Sequence, residues 1–177
     1  MRRFLDRLYA ASGAFAALCL ASIAAVMLLQ AAMRELGFLF RGADDIVGWL
    51  CAASAFLALG YTFRHGELVR VGLVLDRLPP GARRNAEIVA LGIALLFVAC
   101  LLWASARFVY QSWQFDEVAQ GLVRIPIWIP QMSFVIGAAI FFVAVLDDFI
   151  VLARGGTPAY RGAEDTQRTQ PGAPLPE

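Results

Sequence analysis

Apolar residues fall in four long blocks along the chain, and charged residues gather between them. The blocks Leu8–Met33, Ile46–Phe63, Ile88–Ala106 and Ile125–Leu146 contain no Asp, Glu, Arg or Lys. A helix that crosses a bilayer needs about 20 mostly apolar residues, and each block meets or approaches that length. Lipid offers no partner to a free backbone N–H or C=O, so a spanning segment closes its own hydrogen bonds as an α-helix. The strands of a lipid-facing barrel would alternate apolar and polar residues, and these blocks do not. The pattern predicts an all-α integral membrane protein with four transmembrane helices in one membrane domain, residues 1–153, with spans at about 8–33, 46–63, 88–106 and 125–146. An Arg at a helix centre costs about 2.5–3.5 kcal/mol on the insertion scale, so the third span is expected to end near Ala106. Phe108, Tyr110, Trp113 and Phe115 then form an interfacial extension. The first block is longer than the apolar region of a secretory signal, about 7–15 residues, and reads as an uncleaved span.

The segments between the blocks set the orientation. Eleven of the Arg residues lie before Leu8, between Arg64 and Glu87, and after Leu152; four lie in the other two connections. The positive-inside rule places the amino terminus, the middle loop and the carboxyl terminus in the cytoplasm. In the middle loop, Leu68, Val71, Leu75 and Leu78 recur at helical spacing, with Arg70 and Arg77 beside them. This predicts a short amphipathic segment at the inner membrane surface, or packed beneath the bundle, ended by Pro79, Pro80 and Gly81. Asp44 or Asp45 is expected to cap the second helix through its carboxylate. Pro126 suits a first helical turn, and Pro130 marks either the true start of the fourth helix or a kink. Inner Arg residues are the expected partners of Asp147 and Asp148. The tail, residues 154–177, has no apolar periodicity and is expected to be disordered.

Composition agrees with a lipid environment. Charged residues make up 16% of the chain and apolar residues 60%, against about 25% charged in a soluble domain. The net charge of +1 points to no nucleic-acid partner. Cys19, Cys51 and Cys100 lie singly inside apolar blocks and read as small core residues. His65 is the only histidine, so a bis-histidine haem and a His/Cys metal cluster are not expected, and no phosphate loop or nucleophile triad is present. The expectation is no catalytic residue, no metal and no cofactor. Polar groups inside the spans are Ser12, Ser22, Gln30, Ser54, Thr62, Ser105, Gln131 and Ser133. They suit bonds to backbone or to a neighbouring helix rather than a charged pathway.

Two stripes of small residues, Gly13–Ala17–Ala21–Ala25 and Gly48–Ala52–Ala55, allow close backbone approach. They are candidates for packing among the four helices or for contact with a larger membrane partner. Trp49, Trp103, Trp113 and Trp128 fall near the outer boundary and are candidate interfacial anchors. Asp116, Glu117 and Arg124, beside Trp113, are candidate groups for docking a partner outside.

The order of these features resembles the small permease subunit of tripartite ATP-independent periplasmic (TRAP) transporters, the DctQ-like family, from about Arg2 to Leu152. The resemblance rests on Asp45 before a second span containing Trp49, an inner loop ending in Asp76–Pro80 (DRLPP) followed by Arg83 and Arg84, and Pro126–Trp128 opening the fourth span. The chain departs from the family's GHIxVD-like inner-loop pattern: Gly66 is followed by Glu67, Leu68, Val69, Arg70, Val71 and Gly72, without the His and the acid. The resemblance implies a non-catalytic subunit of a sodium-coupled symporter in the bacterial inner membrane. It implies a large permease subunit that carries the substrate and sodium sites, braced by this chain, and a periplasmic binding protein that delivers an organic acid. A membrane anchor of a respiratory complex and a small four-span enzyme are the competing readings; a haem band or turnover by the purified chain would favour them.

Overall fold

The computed structural model describes residues 2–38, 40–65 and 80–156. The amphipathic segment expected at the inner surface, the Gly66–Gly72 stretch and the tail beyond Gly156 lie outside the described residues. Four helices account for most of the rest: α1, Arg2–Glu35; α2, Ala43–Arg64; α3, Pro80–Gln114; and α4, Trp128–Ala153. Each is long and apolar enough to cross a membrane.

The helices run past the charge-free blocks because nothing at the block edges breaks a helix. α3 continues through Arg107 to Gln114, since ARFVYQSWQ contains no Gly or Pro. At 34 and 35 residues, α1 and α3 are each about 50 Å long at 1.5 Å per residue, well beyond a hydrocarbon core of about 30 Å. α2, with 22 residues, is close to the core thickness.

Local geometry ends the helices. Gly37 has φ +80°, with Phe38 N–H donating to Met33 C=O at 2.9 Å and Gly37 N–H to Arg34 C=O at 3.1 Å. This pair of bonds is the Schellman motif, which satisfies carbonyls left free at a helix end. The same pair recurs at Gly155 and Gly156 after α4, and at Asp116 and Glu117 after α3. Asp116 holds the left-handed position at φ 47° without being glycine. The fourth helix begins at Trp128 rather than at Ile125. Ala119 N–H donates to Ile125 C=O at 2.9 Å and Ile127 N–H to Glu117 C=O at 3.0 Å, so the preceding residues belong to a hairpin-like turn in which Val118 faces Pro126. Pro130 therefore sits in the first turn of α4, where its missing N–H would have no intrahelical partner.

The helices form a row, not a closed bundle. α1 packs on α2, α2 on α4 and α4 on α3, while α1 meets α4 only marginally. The order across the layer is α1–α2–α4–α3. About a third (33%) of the most apolar stretch of α4 is buried, against 11% in α1 and in α3, as expected for a central helix between two edges. The α2–α4 seam is the closest. A Cβ on Gly137 would come within 2.5 Å of the Phe56 carbonyl oxygen, and one on Gly60 within 2.7 Å of the Ile140 side chain. Phe56 lies on Phe134 with ring centroids 5.0 Å apart, and Phe63 meets Phe141 edge-on at 5.6 Å. The core gathers Tyr9, Phe63, Leu91, Val98, Ala144, Val145 and Leu152, mostly from the ends of helices opposite the 36–42 and 115–127 loops.

Candidate functional site

Polar ties lock the row at both ends. At the end carrying the 115–127 loop, the Asp45 carboxylate accepts hydrogen bonds from Leu122 N–H at 2.8 Å and Val123 N–H at 3.4 Å. The approach is close enough that a Cβ on Gly121 would overlap that carboxylate, and one on Gly42 would strike Val123. The loop from α3 to α4 therefore lies across the row and is pinned to the start of α2. This corrects the expected helix cap. The residue before α2 is Gly42, at φ 89°, with no side-chain cap. Asp45 is already inside the helix, where its charge still suits the positive end of the dipole. Asp44 is drawn to the other side, accepting from Gln30 Nε2 of α1 at 3.3 Å.

At the opposite end, Arg64 of α2 pairs with Asp6 of α1 at 2.6 Å and with Asp147 of α4 at 3.2 Å. One guanidinium thus joins three helices and meets the expectation of an Arg partner for Asp147. It also lies over the Tyr9 ring, 5.1 Å from its centroid. Asp148 and Glu87 are buried, at 2% and 4% exposure, and both are held in interactions. His65 stacks on Tyr61 at 4.0 Å, and its Nδ1 lies 2.9 Å from the Tyr61 carbonyl.

Four of the eight polar groups within the spans turn back onto their own helices. Ser22, Ser54, Thr62 and Ser133 hydroxyls donate to carbonyls three or four residues earlier. Ser12 is different: its hydroxyl crosses from α1 to the Leu57 carbonyl of α2. Beside it, a Cβ on Gly13 would lie 2.8 Å from the Tyr61 ring.

The small-residue stripes divide. Gly13 faces α2 and Ala52 is half-buried, but Ala17, Ala21, Ala25, Gly48 and Ala55 are exposed, and nothing lies within 4 Å of the Cβ position of Gly48. Gly60 and Gly137, which bring α2 and α4 together, are in neither stripe. Two of the cysteines expected in the core, Cys51 and Cys100, are exposed, while Cys19 is partly buried and all three are free thiols; on edge faces a small apolar side chain serves lipid contact as well as core packing. Trp103 and Trp113 stand out at 64% and 58% exposure, whereas Trp49 and Trp128 are half-buried. Asp116, Glu117 and Arg124 are all exposed on the loop after α3, and the Glu117 carboxylate accepts from the Ser112 hydroxyl at 2.8 Å. Among the described residues, no cluster of His, Cys, Asp or Glu could hold a metal ion.

Residues 23–155 match the family described as tripartite ATP-independent periplasmic transporters, DctQ component. The chain is also similar to the ectoine TRAP transporter small permease protein TeaB of Halomonas elongata, 28% identical over 94 residues, which are 51% of this chain and 49% of that protein. The matched segment spans about half the length of this relative.

Proposed function

Since the chain belongs to the DctQ component family of tripartite ATP-independent periplasmic transporters, we propose that it is the small membrane subunit that braces a large permease subunit. It is a multi-pass membrane protein and a transporter component. In this reading it sits in the bacterial inner membrane with both termini cytoplasmic. The large subunit holds the substrate and sodium sites, and a periplasmic binding protein delivers an organic acid. The chain contributes no cofactor and no catalytic group.

The observation that carries the proposal is the locked, open row. A closed four-helix bundle satisfies its own faces. Here α1 and α3 each leave a long apolar flank uncovered, including Leu18, Leu28, Phe97 and Trp103, while Asp45 and Arg64 fix the helices against each other at both ends. Rigidity together with an open edge is what a brace requires. The exposed stripe Ala17–Ala21–Ala25 on α1 and the outward flank of α3 are the two edges available to a neighbour. Asp116, Glu117 and Arg124, on the same side as the Asp45 latch, are the groups proposed to meet the binding protein.

The test is co-purification. In mild detergent the tagged chain should bring down a membrane protein of many spans, and cells lacking the chain should lose uptake of one organic acid. Recovery of the chain alone, with uptake unchanged by its deletion, would contradict the proposal.

A further inference from the structure

The second helix marks where the membrane core ends. Its charge-free block, Ile46–Phe63, is about 27 Å long at 1.5 Å per residue, close to a hydrocarbon core of about 30 Å. Asp45 therefore stands at the edge of the core. The loop after α3 is tied to that level, because Leu122 N–H donates to the Asp45 carboxylate at 2.8 Å. Its tip is drawn down to the boundary instead of rising clear of it.

Two kinds of side chain meet at this level. Leu122 is 70% exposed, and Phe115 and Val118 of the same loop are exposed as well. Leu36 and Phe38 repeat the pattern at the neighbouring 36–42 loop. Beside these apolar groups stand two arginines. A Cβ on Gly42 would strike Val123, so Arg41 and Arg124, each one residue further along, bracket the contact between the two loops. Both are exposed, and among the described residues neither has a carboxylate partner. An exposed leucine held at the edge of the core has lipid beside it, and an arginine there extends its charge to the headgroups. Apolar side chains at the acyl boundary with guanidiniums next to them match a phospholipid in both of its parts.

We propose that the 115–127 loop anchors the chain to lipid, with Leu122 seated at the acyl boundary of the leaflet on the Asp45 side and Arg41 and Arg124 holding a phospholipid phosphate. The inference rests on the four spans and the Asp45 tie, not on the transporter reading. Asp45 then sets the depth of the loop as well as its position across the row. Of the three groups proposed to meet the binding protein, Asp116 and Glu117 keep that role and Arg124 goes to lipid.

The test uses the full chain with Cys19, Cys51 and Cys100 replaced by Ala, in vesicles of phosphatidylethanolamine and phosphatidylglycerol, with a nitroxide label at Leu122→Cys. Leu28→Cys, exposed on α1 within the core, and Arg154→Cys, exposed past the far end of α4, give the lipid and water references. Collisions with a water-soluble nickel chelate should be about fivefold rarer at Leu122 than at Arg154, and collisions with oxygen, which concentrates in the core, should approach those at Leu28. Asp45→Ala should raise nickel collisions at Leu122 severalfold. In native mass spectrometry the parent should keep phospholipid through a delipidation that strips the Arg41→Gln/Arg124→Gln variant. Nickel access at Leu122 equal to that at Arg154, or equal lipid retention by parent and variant, would overturn the proposal. So would a fall in both nickel and oxygen collisions at Leu122 when the large permease subunit is reconstituted with the chain, since protein would then cover the loop. None of these results touches the small-subunit reading.

Discussion

Replacing Gly137 with alanine adds one methyl group at the tightest point between α2 and α4. The new Cβ would lie 2.5 Å from the Phe56 carbonyl oxygen, 2.6 Å from its carbonyl carbon and 2.7 Å from its Cβ. Ordinary contact is about 3.5–4.0 Å, so the approach is roughly 1 Å too close. These atoms are backbone and the root of a side chain, which no rotamer change can move. The helices must separate, loosening the Phe56–Phe134 and Gly60–Ile140 contacts on either side. Overpacking of this kind costs about 1–3 kcal/mol and occasionally more, while alanine recovers up to about 1 kcal/mol of helix propensity. Gly137→Ala should therefore destabilise the chain by about 1–2 kcal/mol. Gly48→Ala makes the same chemical change on the same pair of helices where nothing lies within 4 Å, and should be neutral or stabilising. The pair is compared by reversible unfolding in detergent micelles, reading helix content against denaturant. Equal stabilities for the two variants would refute the α2–α4 packing described here.

Asp45→Ala should release the loop after α3, because Leu122 and Val123 N–H lose a charged acceptor; such bonds are worth about 1.5–3 kcal/mol, and the amides of 119–125 should exchange faster by an order of magnitude or more in hydrogen-exchange mass spectrometry. Asp116→Gly should raise stability by about 1 kcal/mol, since the left-handed conformation costs an L-residue roughly 1–2 kcal/mol and glycine almost nothing; an unchanged or lower unfolding midpoint would contradict the assigned turn. Ser12→Ala removes the hydroxyl bond from α1 to the Leu57 carbonyl and should cost about 0.6 kcal/mol, with about 1.7 as an upper bound, whereas Ser22→Ala, which loses only a bond within its own helix, should cost less.

The blocks of apolar residues carried the four helices, because the membrane admits few other solutions for a stretch that long. What the sequence could not carry was which residue meets which across the row. Asp45 sits where a cap is expected, and its carboxylate is claimed instead by a loop 77 residues later; only the folded chain brings those amides to it. Gly137 and Gly60 lack the regular spacing that drew attention to Gly13–Ala25, yet they make the closest contacts, because closeness depends on the facing helix. Arg107 sets the expected edge of the third span, and the helix itself runs on to Gln114 because no helix-breaking residue follows.

The most direct test of the central claim is flux in reconstituted vesicles. Purified large permease subunit and binding protein, supplied with an organic acid substrate and a sodium gradient, should transport only when this chain is present, and the chain alone should carry no flux. Transport by the large subunit at the same rate without the chain, or solute movement through the chain by itself, would contradict the proposed role of a non-conducting brace.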